Sequence, residues 1–190
     1  MTTNASTFID CPVIIYDDND NYLDRSYITE HDKNSMYIEI YGKLDTVNEG
    51  SRIKLLIVHS GGASEFGGVA RRVTNNRRLI SLHNEHSRNA RNSVRHTINS
   101  PASVTSLAHG SERKIYDDPP KVVVENISAT GVLLKSYSKH YRVGSIMDID
   151  LAIDGKTVRL TCKIIREMLN ADDTFGFGCK FIFTQQETVA

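Results

Sequence analysis

The chain has 190 residues, 39% of them hydrophobic and 24% charged, with basic and acidic side chains in equal number. That length suits two domains of roughly a hundred residues each. No apolar run approaches the roughly 20 residues needed to span a bilayer. The opening MTTNASTFIDC has neither the basic start nor the apolar core of a signal peptide.

Zero net charge conceals an uneven distribution. Residues 1–70 carry five basic and eleven acidic side chains. Residues 71–95 carry seven arginines (Arg71, Arg72, Arg77, Arg78, Arg88, Arg91, Arg95) against one acid, Glu85, and the remainder balances. A compact cationic segment suits a local anionic ligand better than a long polyanion, although a solvated linker would read the same on charge alone. Cys11, Cys162 and Cys179 are odd in number and form no CxxC pair, the usage of reduced thiols in a cytoplasmic protein. The seven histidines make no metal-ligand spacing, so no metal or cofactor is expected.

Period-two, β-branched patterning dominates and long 3.6-residue periodicity is absent. Strands are predicted at 12–16, 35–41, 52–59, 65–73 and 78–83, then at 97–107, 121–126, 131–136, 145–153, 156–166 and 175–183. Asp17–Asn21 reads as a polar break and Ser60-Gly61-Gly62 as a flexible loop. His109–Pro120 reads as a long hairpin loop, and Asp154-Gly155 as a type I′ hairpin. The closing QQETVA leaves room for at most a turn of helix.

The halves also look alike. Tyr41-Gly42-Lys43 precedes Tyr137-Ser138-Lys139 by 96 residues, Gly50-Ser51 precedes Gly144-Ser145 by 94, and Arg72 precedes Arg166 by 94. The expected fold is all-β: two small antiparallel β-barrels in tandem, each closed to hide its strand edges.

Two short patterns carry chemistry. Arg91-Asn92-Ser93-Val94-Arg95 is an RxxxR, with Arg88 three residues ahead. Asn126-Ile127-Ser128-Ala129-Thr130-Gly131 is an NxSxxG between two predicted strands. Taken alone, the second pattern reads as a turn in which Asn126 and Ser128 bond local backbone and Gly131 supplies positive φ. No carboxylate pair, Ser/His/Asp set or metal cluster stands out, so an enzyme is not expected. The cationic linker holds no aromatic residue, which argues against DNA or RNA binding.

The two patterns in this order, with Gly144-Ser145 opening a strand and Phe175-Gly176-Phe177-Gly178-Cys179-Lys180-Phe181 closing the set, resemble the PilZ domain family. The resemblance covers Arg88 to Phe183. It implies a six-stranded antiparallel barrel whose ligand is cyclic di-GMP, a bacterial second messenger. Arg91 and Arg95 would then be the principal ligand residues, with Arg88 a further cation. Asn126 and Ser128 would reach a guanine edge, and Gly131 would permit close backbone approach or the turn itself. Arginine suits such a ligand because its planar fork serves phosphate and guanine O6/N7 and stacks on a base. Ala90 stands where many members have a second arginine, which points to one bound ligand rather than a stacked pair.

Residues 1–86 are expected to form a barrel without the motif, and 87–190 a PilZ domain with 87–96 as the ligand-binding linker. This arrangement is similar to flagellar-brake proteins. The implied function is a receptor that changes interdomain arrangement to regulate a protein partner, most readily in motility. The alternatives are an adaptor that does not bind nucleotide, or a regulator of exopolysaccharide (biofilm) synthesis or secretion. A monomer or weak dimer, without membrane insertion, is expected.

Overall fold

Short runs of Val, Ile and Leu at every second position favour half-buried strands, and the described residues contain thirteen strands and no helix. The computed structural model describes residues 8–32, 37–41, 47–74, 77–85 and 95–182, with the backbone alone at 72–74, 77 and 83–85. The chain divides into two compact units, one holding most residues up to Asn89 and the other most of those from Ala90. The expected boundary at 86/87 and the linker's first eight residues lie outside the described residues.

In the first unit, β1 (Pro12–Asp17), β2 (Tyr22–Asp32), β3 (Tyr37–Tyr41), β4 (Arg52–His59), β5 (Gly62–Thr74) and β6 (Arg77–Glu85) close into a barrel in the order β1-β2-β3-β6-β5-β4. Its core holds Val13, Ile15, Ile28, Ile38, Ile40, Ile53, Leu55, Ile57 and Ile80. Each such side chain contributes about 1.5–3 kcal/mol relative to exposure.

The second unit comprises β7 (His96–His109), β8 (Glu112–Ile115), β9 (Lys121–Ser128), β10 (Gly131–Ser136), β11 (Ile146–Ile153), β12 (Lys156–Leu169) and β13 (Phe175–Phe181). Their order is β11-β12-β13-β10-β9-β7-β8, and a β11–β7 pairing closes six of them into a barrel. The long β7 serves two neighbours, pairing its first half with β9 and its second with β11. Alternation in β10 and β11 is clean, with Val132, Leu134, Met147, Ile149 and Leu151 turned inward.

The expected likeness of the halves extends to the backbone. Both barrels follow the same circuit, with β7, β9, β10, β11, β12 and β13 standing for β1 to β6. The Gly50 N–H donates to Ala70 O at 2.7 Å and the Gly144 N–H to Ile164 O at 2.9 Å. Both glycines have positive φ, +86° and +91°. A bulge follows at the same point of each strand, between Ala70 and Arg72 and between Ile164 and Arg166.

Several expectations need correction. β2 lies where no strand is predicted, because Ser26 and Ile28 are its only buried side chains. Backbone pairing to β1 and β3 makes it a strand, rather than an apolar face. β8 falls inside the stretch read as a hairpin loop. All four of its side chains are exposed, and it adds to β7 as a seventh strand, tied by Arg113 to Asp148 at 3.4 Å. Ser60-Gly61 is a tight turn between β4 and β5 rather than a flexible loop. Asp154 and Gly155 both have positive φ, as a type I′ hairpin requires. The closing residues 183–190 lie outside the described residues.

The turn joining β12 to β13 is built on Asp172. Its carboxylate accepts from the Thr174 hydroxyl at 2.6 Å and pairs with Lys135 from β10. Hydrogen bonds with Lys135 and Thr174 hold its pKa down at about 2.

Candidate functional site

Regular alternation sends each even-numbered residue of β12, through Leu160, Cys162 and Ile164, into the core. Arg166 would follow them inward. Instead, the bulge at Ile165 puts an extra residue into the strand, and Ile165 and Arg166 are both exposed. A bulge of one residue reverses the phase of everything beyond it. β9 has the same device: its bulge at Glu125 turns Asn126 away from the core while Val124 and Ile127 stay within it.

These two reversals complete a row of outward positions. Paired across neighbouring strands in register, the row runs Thr97, Asn126, Leu133, Gly178, Arg166. A second row runs Ser128, Gly131, Lys180, Lys163. Over them lies a cleft of about 650 Å³ lined by the first-row residues from Asn126 to Arg166, by Ser128, Thr130, Gly131 and Lys180, and by Arg95 just before β7. Ile165, Val132 and Cys179 complete its lining.

The electrostatic character is one-sided. Arg95, Arg166 and Lys180 are exposed, and no acidic residue among the described ones lines the cleft. Among the described residues none of the three has an ion-pair partner. Three cations held without counter-charge form a ready site for an anion, and two arginines favour planar, bidentate groups such as phosphate or a purine edge.

Gly131 begins β10 beside β13. A Cβ there would lie 2.0 Å from the Cys179 carbonyl oxygen, so only glycine allows the two backbones to approach. Its φ is not among the positive ones, which corrects the turn reading of Gly131. Ser128 is buried, and its hydroxyl accepts from the Thr130 N–H at 3.3 Å and donates to Gly131 O at 3.4 Å. It shapes the Ala129–Thr130 turn while lining the cleft.

Beneath the cleft, Phe177 is fully buried against Tyr141, their rings edge-on at 5.3 Å. Burial pushes the Tyr141 hydroxyl up to about 12. Cys162 and Cys179, distant in sequence, meet in this core. The hydrogen bond between them and burial raise the Cys162 thiol, which leaves it protonated and unreactive. All three cysteines are free.

Of the residues predicted from sequence, the structure brings Arg95, Asn126, Ser128 and Gly131 to one cleft. Arg88 and Arg91 lie outside the described residues. Sequence reasoning missed Arg166 and Lys180, treating the first as a strand-end marker of the repeat and the second as part of the closing strand. The FGFGCKF alternation could have flagged Lys180, but Arg166 depends on a bulge that has no signal within its own strand.

Solved structures that align with the chain include K. pneumonia MrkH in its apo state, at 14% identity and TM-score 0.35, covering 93% of this chain and 81% of that one. Escherichia coli YcgR in complex with c-di-GMP aligns at 12% identity and TM-score 0.38, covering 91% and 76%. The Bacillus subtilis inhibitor of motility MotI/DgrA aligns at 9% identity and TM-score 0.36, covering 93% and 88%. No curated protein matches the chain in sequence. The family model for the PilZ domain matches residues 88–189, the second barrel and the segment leading into it. The chain belongs to the PilZ family.

Proposed function

We propose that the second barrel is a receptor for cyclic di-GMP and that it acts by binding, without catalysis. The observation that carries this reading is the convergence of Arg95, Asn126, Ser128 and Gly131 on one cleft whose described lining holds no acid. Residues 31 positions apart in sequence, at Arg95 and Asn126, meet there because β7 and β9 are neighbours. The ligand's two phosphates match arginines that have no acidic partner among the described residues, and its guanines match short amide and hydroxyl groups at the strand ends. Arg91, and Arg88 with it, would close over the ligand from the linker.

Ligand capture by a segment that joins two barrels gives a means of output. If one interdomain arrangement holds the arginines closer to the cleft, ligand favours it by its differential affinity. A cytoplasmic protein partner would read the change. We assign that partner to motility, because a motif-free barrel ahead of a PilZ barrel resembles the flagellar-brake arrangement.

Titration calorimetry of the full chain with cyclic di-GMP tests the proposal. Charge-assisted hydrogen bonds are worth about 1.5–3 kcal/mol each, so Arg91→Ala and Arg95→Ala each remove measurable binding. Unchanged binding in both variants would sink the assignment.

A further inference from the structure

Guanine binding on a protein surface commonly uses an aromatic face, yet among the described residues no Phe, Tyr or His lines the cleft, and the chain has no Trp. The planar side-chain groups available are the Asn126 amide and the guanidinium groups of Arg95 and Arg166.

Arg166 is held in an unusual way. The bulge at Ile165 turns it out of the core, and its register partner on β13 is Gly178. A Cβ on Gly178 would lie 2.7 Å from the Arg166 Cγ, 2.5 Å from its Nε and 3.1 Å from its Cδ. The arginine stem therefore lies against the bare backbone of β13, in the space that a side chain would fill. Among the described residues, Arg166 has no hydrogen-bond or ion-pair partner, so neither ring nor carboxylate occupies its free face. Next in the row come Leu133 and then Asn126, while Ile165, 56% exposed, lies at the arginine end. A flat apolar strip is thus bounded by a guanidinium at one end and an amide at the other.

We propose that Arg166 is the base-stacking residue of this cleft, its guanidinium laid over Gly178 so that its outer face receives a guanine of the bound dinucleotide. This rests on the cyclic di-GMP reading above and adds a contact outside both sequence motifs. Guanidinium stacks well on π-systems, whereas an ammonium supplies charge without a plane. Lys180, one row away, supplies point charge to phosphate.

The test is titration of the full chain with cyclic di-GMP, comparing wild type with Arg166→Ala and Arg166→Lys. Absence of wild-type binding would remove the receptor reading itself. Given wild-type binding, loss of stacking and charge weakens Arg166→Ala by about tenfold or more, and Arg166→Lys by nearly as much because its plane is gone. The ligand-free Arg166→Lys variant, which keeps an aliphatic stem on Gly178, melts at the wild-type midpoint, since among the described residues Arg166 has no ion-pair partner to lose. Lysine binding within about twofold of wild type would show that charge alone suffices and overturn the stacking role. Unchanged binding in both variants, or a lowered midpoint that accounts for the loss, would overturn it as well.

Discussion

Where β9 turns into β10, Ser128 faces Gly131 across the pairing; at the matching corner of the first barrel, Asp32 faces Tyr37. The outward rows differ in the same sense. In the second barrel the row reads Asn126, Leu133, Gly178, Arg166, and in the first Glu30, Glu39 and Leu79 stand in the matching places, with the backbone of Arg72 in register after them. Each row begins beside a bulge, at Glu125 or Thr29, and ends beside another. The backbones are built alike, down to the glycine hydrogen bonds at Gly50 and Gly144. What separates the barrels is side-chain chemistry: carboxylates where an anion would have to lie, and side chains where the second barrel has bare backbone. A shared circuit therefore does not imply a shared function; the proposed ligand contacts belong to a few positions on one wall.

The comparison can be broken most severely at Gly131. Gly131→Tyr copies Tyr37 into the second barrel, but its Cβ would fall 2.0 Å from the Cys179 carbonyl oxygen. Backbone cannot yield as a flexible side chain does, so we expect a loss of about 3 kcal/mol or more. Urea denaturation, followed by hydrogen exchange at the β10 and β13 amides, measures it.

A change of charge comes next. Asn126→Glu copies Glu30, which the first barrel accommodates beside its own bulge. Stability should hold, while the carboxylate loses the amide N–H donors that would meet a guanine edge and offsets the positive charge of Arg95 and Arg166, lowering affinity by about tenfold. Titration of the folded variant checks this.

Ser128→Ala should act on both properties at once. Its hydroxyl serves the turn through long bonds of 3.3 and 3.4 Å, so a stability cost of about 1 kcal/mol is expected. A thermal melt reads that cost, and titration reads the accompanying loss of affinity.

The smallest effect concerns acid. The β12–β13 connection spans residues 170–174. Its Asp172 titrates at about 2 in the folded chain, below the unfolded carboxylate value of about 3.9. Its contribution is present above the unfolded value and is lost as pH falls through the folded one. Asp172→Asn should therefore flatten the stability profile between those values and leave neutral binding unchanged. Thermal melts from neutral to acid pH follow this.

The legible parts of the molecule were those written in local pattern. Alternation in β10 and β11 showed through because each has one clean apolar face, and Asp154-Gly155 announced its turn. The spacing of Gly50-Ser51 and Gly144-Ser145 exposed the repeat. β2 and β8 stayed hidden because their strand character comes from backbone pairing: YLDRSYITEHD fully buries only Ser26 and Ile28, and ERKI buries nothing. The bulges were equally silent, since a register slip at Ile165 or Glu125 exists only relative to the partner strand. For that reason the motif residues could be named from sequence while Arg166, which a regular strand would have buried, could not.

The central claim is that ligand occupies the wall of the second barrel and leaves its counterpart on the first barrel empty. Hydrogen–deuterium exchange of the full chain, with and without saturating cyclic di-GMP, tests it directly. We predict protection at Asn126–Leu133 and Gly178–Lys180, with Glu30–Asp32 and Tyr37–Glu39 unchanged. Protection at the first-barrel corner, or none at the second, would contradict the account.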